Sequence, residues 1–160
     1  MGGEILAVRM DRVRYQSGEA VARAFFDRWN AHDADGIGEL FADDADFVNV
    51  VGLWWRSRRA IRKAHAYDFD RIFANAHLDI TELKIRELTP DIHVVHTVSI
   101  LTGQTGPNDE IADDRMAVIS LVAERRDSGF VIVSAQNTDR IDGADTNIAS
   151  AGAFGPTRYR

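Results

Sequence analysis

The apolar residues of this chain change their spacing once, near Asn75, from a period of about 3.6 residues to a period of two. Up to that point they recur three and four positions apart, which is typical of amphipathic helices. Beyond it they alternate with polar residues, which is typical of half-buried strands. Helices gathered in the first half and strands in the second predict an α+β domain, with the helices packed against one face of a long, curved antiparallel sheet.

Three helices are predicted in the first half of the chain. The first covers residues 18–32 and has Ser17 as its expected N-cap, because a serine side chain can accept a hydrogen bond from a free backbone N–H of the first turn. A shorter helix follows it. The third helix covers about 58–73, with Ser57 as its cap, and a strand at 45–51 precedes it.

Four strands are predicted in the second half, at residues 77–88, 92–103, 114–126 and 129–140. The apolar phase switches within the first of them, which predicts a β-bulge near residues 81–83, because one inserted residue turns the following side chains to the other face. The segment Asp127-Ser128-Gly129 predicts a tight hairpin between the last two strands.

The third of these strands is apolar on both faces, with Met116, Val118 and Val122 on one and Ala117, Ile119 and Leu121 on the other. The helices can cover only one face of the sheet. A second subunit is the simplest cover for the other, so we expect a homodimer through the outer face of the sheet.

The 160 residues are expected to form one domain with two extensions. Residues 1–16 are a predicted N-terminal extension, and residues 17–141 are the predicted cone-shaped domain. Residues 142–160, rich in Gly, Ala and Ser, are expected to form a tail that is either a loop or an ordered arm.

Composition excludes several classes of function. A net charge of −6 argues against nucleic acid as the partner, and the absence of cysteine excludes disulfides and thiolate metal sites. No apolar stretch approaches the roughly 20 residues of a membrane span, and the N-terminus has no signal-peptide pattern. We therefore expect a cytoplasmic protein without a membrane partner.

The two histidines His93 and His96 stand three apart on a predicted strand, so their side chains point to opposite faces and cannot bind one ion together. No metal site and no cofactor is expected. Because His96 shares a face with Val94 and Val98, we expect it to point into the domain and His93 to point outward.

Several short segments resemble one known group of proteins: residues 29–35 (WNAHDAD), 40–47 (LFADDADF), 59–61 (RAI) with His65, and 135–138 (AQNT). They resemble the SnoaL-like proteins of the nuclear-transport-factor-2-like fold and are similar to the SgcJ/EcaC type, found among others in enediyne biosynthesis clusters. The resemblance implies a cone of three helices and a curved sheet around one pocket. It does not imply one activity, because this superfamily includes enzymes and plain binding proteins.

The position that matches the catalytic base of the ketosteroid isomerases of this fold is Asn49. Those enzymes carry a carboxylate there, and an amide cannot accept a proton at neutral pH. The resemblance therefore implies a pocket without the isomerase mechanism. Asn49 could still orient a ligand carbonyl or hydroxyl through hydrogen bonds.

Acid–base chemistry is suggested by His65 and Asp68, one turn apart on the inner face of the third helix. In this interpretation His65 is a general base and Asp68 orients it. The alternative is a core histidine satisfied by a neighbouring group. Arg115 allows two interpretations as well, an Arg–Asp pair like that of the epoxide hydrolases on this fold or an ion pair at a loop edge.

An aromatic set, Trp29, Phe47, Trp54, Trp55 and Phe69, is expected near the mouth and wall of the pocket, where it would suit a small hydrophobic or aromatic ligand. Ordinary core packing is the alternative. The last strand carries a polar row on one face, Ser134, Gln136 and Thr138, which predicts either a partly hydrated cavity or a strand end that reaches solvent.

The favoured function is a small-molecule-binding protein with a tailoring or accessory role in secondary (polyketide or enediyne-type) metabolism. Its predicted pocket is lined by Trp29, Asn49, Trp55, His65, Phe69, His96 and Gln136. One alternative is a general acid–base enzyme (isomerase, cyclase or hydrolase) centred on His65. Another is a non-catalytic oligomerisation module.

Overall fold

A computed structural model describes residues 14–159 of the chain. The three predicted helices are present as α1 (Gly18–Asn30), α2 (Ala34–Leu40) and α3 (Arg58–Arg71). The expected N-terminal extension, residues 1–16, lies almost wholly outside the described residues. No helix within residues 14–159 is long and apolar enough to cross a membrane.

Both predicted serine caps are confirmed. The Oγ of Ser17 accepts a hydrogen bond from the Ala20 N–H at 3.0 Å, and the Oγ of Ser57 accepts one from the Ala60 N–H at 3.2 Å. Each cap satisfies one backbone donor that the first helical turn leaves free. The start of α3 matters most for the site, because it sets which side chains of that helix face the sheet.

Six strands form one sheet: β1 (Phe41–Val48), β2 (Trp54–Trp55), β3 (His77–Thr89), β4 (Ile92–Thr102), β5 (Arg115–Arg126) and β6 (Gly129–Arg140). Their order is β2-β1-β6-β5-β4-β3. The four long strands pair antiparallel, as predicted, but β1 runs parallel to β6, so the sheet is mixed. No hairpin joins β1 to β6, and the local sequence therefore does not determine their relative direction.

Among the register shifts of the sheet, one in β3 and one in β6 bear on the predictions and on the site. In β3, Ile80 pairs with Ser99 and Glu82 with Val98, which leaves Thr81 as the inserted residue and confirms the predicted bulge. In β6 the register shifts between the partners of Val122 and Ala123, which are Ser134 and Ile132, so that Val133 is a second inserted residue. Each bulge turns the side chains that follow it to the opposite face.

The expected orientations of the two histidines on β4 are wrong. His93 is buried, with its Nδ1 accepting a hydrogen bond from the Gly18 N–H at 3.0 Å and its ring centroid 4.5 Å from that of Phe130. His96 is exposed on the outer face. The inner face carries Thr97 and Ser99, which tolerate burial because their hydroxyl groups donate to backbone carbonyls of β5.

The tail contains more regular structure than a loop. Strands β7 (Thr146–Ser150) and β8 (Ala153–Thr157) pair as a separate two-stranded hairpin. Its apolar side chains are solvent-exposed in this single chain, with Phe154 75% exposed. The domain boundaries at residues 16 and 141 remain predictions.

Candidate ligand-binding site

A cavity of about 400 Å³ lies between the helices and the inner face of the sheet. Its size is within the range that holds a small organic ligand. Aromatic and aliphatic side chains form most of its wall. The polar residues on its lining are Asn49, His65, Asp68, Ser99, Gln104, Arg115, Asn137 and Asp139.

The aromatic wall is contributed by separate parts of the chain. Trp29 of α1 and Phe73, just after α3, lie with their ring centroids 5.3 Å apart, and Phe47 of β1 and Trp55 of β2 lie 5.4 Å apart. All four line the cavity. Phe69 packs behind this wall against Trp29 and does not itself line the cavity, because the helix turns it toward α1.

His65 is buried and enclosed by aromatic rings, with the centroids of Phe47, Trp55 and Phe25 at 5.4, 5.7 and 5.9 Å. Its Nδ1 lies 2.9 Å from the backbone oxygen of Ile61. A carbonyl can only accept, so Nδ1 carries the proton and Nε2 keeps a lone pair. Burial lowers the pKa of His65 to about 4, which makes the ring neutral at pH 7 and a weak proton acceptor.

The predicted pairing of Asp68 with His65 is not present, because the Ile61 carbonyl holds the ring instead. Asp68 lines the cavity one turn farther along α3. Burial raises the pKa of its carboxyl, since little water remains to stabilise the charge. Within residues 14–159 its carboxylate has neither an ion-pair partner nor a side-chain hydrogen bond.

Asn49 occupies the expected position near the cavity, but half of its amide is already engaged. Its Oδ1 accepts hydrogen bonds from the backbone N–H groups of Val51 and Leu53, at 3.1 and 2.9 Å. These bonds stabilise the turn between β1 and β2. Only the Nδ2 hydrogens remain for a ligand, so Asn49 can donate to a ligand oxygen but has little capacity to accept.

Arg115 and Asp139 form an ion pair on the cavity wall. The guanidinium also donates through Nε to the Oε1 of Gln104 at 3.0 Å. The pair is partly buried, so it is screened less than an exposed pair. With these two partners, Arg115 is largely committed before any ligand arrives.

Asn137 places an unsatisfied group on the cavity lining. Its Oδ1 is buried and has no hydrogen-bond partner within residues 14–159. Such an atom costs about 1–3 kcal/mol when nothing replaces the water it has lost. A bound molecule that donates a hydrogen bond would remove this cost.

The structure thus places some predicted site residues together and excludes others. Trp29, Asn49, Trp55, His65 and Asp68 line one cavity. His96 and Gln136 are exposed on the outer face, so their expected places in the pocket are wrong. The prediction for Gln136 failed because the bulge at Val133 turns that side chain outward.

Two of the cavity residues that the sequence analysis missed, Asn137 and Asp139, lie on β6, the same strand as Gln136. Asn137 was not among the predicted pocket residues, and the bulge directs it to the cavity together with Asp139. A one-residue break in the alternation after Ile132 is the signal that could have revealed this. Gln104, in the loop after β4, carried no such signal.

No group of three or more His, Asp or Glu side chains within the described part of the chain is placed to hold a metal ion. The polar groups of the cavity are instead spread over α3, β4, β5 and β6. This distribution suits a ligand that touches each of them separately.

The comparison with protein families identifies one match. The profile of the SnoaL-like domain aligns with residues 19–137, which is most of the described chain. The chain belongs to the SnoaL-like domain family. In this SnoaL-like domain the match begins in α1 and ends at Asn137, and it therefore includes nearly all of the cavity lining. No curated protein matches the chain in sequence.

Solved structures are similar to this SnoaL-like domain over most of its length. An uncharacterised protein with a cystatin-like fold from Caulobacter vibrioides is 24% identical, with a TM-score of 0.72 over 78% of this chain and 87% of that one. A ketosteroid isomerase-like protein from Erwinia carotovora atroseptica is 12% identical, with a TM-score of 0.67 over 77% and 93%. A proposed scytalone dehydratase from Novosphingobium aromaticivorans is 10% identical, with a TM-score of 0.64 over 77% and 81%.

These likenesses establish the fold, which is the cystatin-like or nuclear-transport-factor-2-like arrangement that the sequence predicted. At such identities they do not transfer an activity. The finer relation to the SgcJ/EcaC type remains a prediction.

Proposed function

We propose that this SnoaL-like domain binds a small, mainly apolar molecule inside its cone. The observation that carries the proposal is the buried Oδ1 of Asn137, which has no partner within residues 14–159 and lies on the lining of a 400 Å³ aromatic cavity. A structure that only packs its core gains nothing from an unsatisfied amide at that place. A binding site does gain, because the ligand supplies the missing hydrogen bond and orients itself by it.

The cavity also separates this function from that of a non-catalytic oligomerisation module. A module of that kind needs no open cone, and aliphatic side chains could fill the space at a gain of stability. Here the wall residues Trp29 and Trp55 leave the space open. Ligand binding is therefore the function that the geometry supports best.

The direct test has two parts. Native mass spectrometry of the purified protein should detect a co-purifying small molecule, or a neutral probe such as 1-naphthylmethanol should bind in isothermal titration calorimetry. Ala117→Leu places three more carbons in the cavity, because Ala117 lies on its lining. We expect this variant to lose probe binding.

The matched control is Val118→Leu, on the outer face of the same strand, which should bind the probe like the wild-type protein. Circular dichroism establishes that both variants are folded. Equal probe affinity in the wild-type protein and in folded Ala117→Leu would contradict binding inside the cone.

The same proposal includes a homodimer and a role in secondary metabolism. The outer face of the sheet supports the dimer, because Val98 pairs with Val118 and Val94 with Val122 in neighbouring strands. These two apolar pairs lie on the face that the helices leave uncovered, on either side of the His96–Ser120 pair. The metabolic role rests on the resemblance to the SgcJ/EcaC type, and identification of the ligand would test it.

A second candidate function is acid–base catalysis on the bound molecule, with Asp68 rather than His65 as the proton-transfer group. The observation that favours it is the carboxyl of Asp68, which lies on the cavity lining without a side-chain partner in residues 14–159 and whose pKa is raised by burial. His65, with a pKa of about 4, would instead accept a hydrogen bond through Nε2.

Deuterium exchange tests this second candidate. The methyl protons of 2-acetylnaphthalene in D₂O should exchange faster with the wild-type protein than with Asp68→Asn, as followed by NMR. Asp70→Asn is the control, since that exposed carboxylate pairs with Arg71 on the other side of the helix. Exchange at the uncatalysed rate with bound ketone would rule out Asp68 as a base.

A further inference from the structure

We infer that the ligand of this cavity is an apolar amine that binds as its ammonium ion next to Asp68. The inference rests on the proposed binding function and adds the chemical class of the ligand. It comes from the charges on the lining, from the aromatic wall and from the acceptors that the cavity leaves unused.

The charges on the lining do not balance. Arg115 and Asp139 neutralise each other as an ion pair, and Gln104 takes a further donor of the guanidinium. His65 is neutral at pH 7. The carboxylate of Asp68 remains as the one charge on the lining that has no counter-ion among the described residues, so the empty cavity carries a net charge of about −1 when Asp68 is ionised.

This unpaired negative charge favours a cationic ligand over an anionic or a neutral one. A ligand carboxylate would have to compete with Asp139 for Arg115 and would be repelled by Asp68. A neutral ligand would leave the Asp68 charge half-buried and unpaired, which is costly. An ammonium ion pairs with Asp68 directly, and a carboxylate in a partly desolvated site gains more from such a pair than an exposed one does.

The aromatic wall favours the same cation. Trp29, Phe47, Trp55 and Phe73 border the cavity, and the face of an aromatic ring attracts positive charge within about 6 Å. The same rings offer apolar surface to the hydrocarbon part of the ligand. An aromatic wall with a single free acid is the arrangement that ammonium recognition uses.

Unused hydrogen-bond acceptors complete the match. The Oδ1 of Asn137 is buried and without a partner within residues 14–159, and the Nε2 of His65 keeps its lone pair because Nδ1 donates to Ile61. An ammonium group brings three donors and no acceptor. It can therefore pair with Asp68 and still has donors for other acceptors of the lining that lie within its reach.

Binding should depend on pH in one direction. Burial raises the pKa of Asp68, and protonation of this carboxyl removes the charge that pairs with the ammonium ion, so binding of the amine should weaken as the pH falls. The other charged or titratable groups that face the cavity are His65 of α3, Arg115 of β5 and Asp139 of β6. His65 stays neutral down to about pH 4, and Asp139 is held by Arg115 in an ion pair, so we assign the change to Asp68.

The test compares three probes with one aromatic frame, namely 1-naphthylmethylamine, 1-naphthylmethanol and 1-naphthoic acid, by isothermal titration calorimetry at pH 7.5. We expect the amine to bind roughly tenfold tighter than the alcohol, and the acid to bind most weakly. In Asp68→Asn the advantage of the amine over the alcohol should disappear, with the alcohol affinity little changed. Asp70→Asn should keep the wild-type order.

The possible results separate the two proposals. If the alcohol binds and the amine binds no tighter, the amine inference is overturned and the binding function stands. If the amine is preferred equally in Asp68→Asn, the assignment of Asp68 is overturned. If none of the three binds to the wild-type protein, both proposals are overturned for a ligand of this class.

Discussion

Asp139 holds the guanidinium of Arg115 from the neighbouring strand, where the two residues are diagonal neighbours on the inner face of the sheet. Asp139 pairs in register with Ala117, two positions beyond Arg115, so the long arginine side chain reaches it along the face. The contact removes a positive charge from the cavity that would otherwise attract anions. The choice of ligand charge therefore depends on a contact between two protein groups.

Removal of the Asp139 carboxylate should make the cavity more favourable for an anionic ligand. In Asp139→Asn the guanidinium of Arg115 loses its counter-ion and becomes free to bind a ligand carboxylate. We expect 1-naphthoic acid to bind roughly tenfold tighter than to the wild-type protein, as measured by calorimetry. Asp142→Asn, which releases the exposed Arg140, is the control and should change nothing. An unchanged affinity for the acid in Asp139→Asn would refute this account of Arg115.

Replacement of Asn137 should separate stability from binding. Asn137→Leu removes the unsatisfied Oδ1 and fills part of the cavity, so we expect the empty protein to become more stable by about 1 kcal/mol in urea unfolding. Affinity for 1-naphthylmethanol should fall about tenfold, because the hydrogen bond and space are both lost. Thr138→Val, on the exposed face of the same strand, is the control. A less stable Asn137→Leu protein would mean that the amide already has a partner.

Acid should destabilise the fold through His65. Its pKa is about 4 in the folded protein and about 6.5 in the unfolded chain, so the unfolded state binds more protons between these values. Stability is therefore complete above pH 6.5 and falls as the pH drops toward 4, with a loss of about 2 kcal/mol between pH 7 and pH 5. Urea unfolding at the two pH values measures it.

His65→Phe gives the comparison for this pH dependence. A phenyl ring fits among the same aromatic neighbours and cannot titrate, so most of the loss between pH 7 and pH 5 should vanish. The raised pKa of Asp68 acts in the opposite direction, favouring the folded state at low pH, and it remains in both proteins. An equal loss in the variant would show that another group controls acid stability.

The proposed dimer can be tested on the outer face of β5. Val118→Asp places a charge opposite Val98 on the proposed interface, and a charge buried without a partner is strongly unfavourable. We expect sedimentation to change from that of a dimer to that of a monomer. Tyr67→Asp, an exposed change on α3, should sediment like the wild-type protein. A monomeric wild-type protein would exclude the dimer altogether.

Most of the fold was predictable because its signals are local. The caps at Ser17 and Ser57 and the bulge at Thr81 each follow from a few neighbouring residues. The parallel pairing of β1 with β6 has no local signal, since it joins residues almost ninety positions apart and no turn connects them.

The site was predictable in part, and the errors have physical causes. The valines of β4 suggested that His96 pointed inward, yet the buried face of that strand carries Thr97 and Ser99. Their hydroxyl groups are satisfied by the carbonyls of β5, a partner that only the folded sheet provides. Hydrophobicity alone therefore selected the wrong face.

The extra residue Val133 has a consequence for how such pockets diversify. It decides that Ala135, Asn137 and Asp139 face the inside of the cone, while Gln136, Thr138 and Arg140 face water. If Val133 instead joined the ladder opposite Val122 and the bulge were lost, every later residue of β6 would shift by one position. The two sets would then exchange faces, and an arginine would point inward in place of an acid. Relatives of this domain could thus come to bind oppositely charged molecules through substitutions that flatten one bulge, with every lining residue still present in the gene.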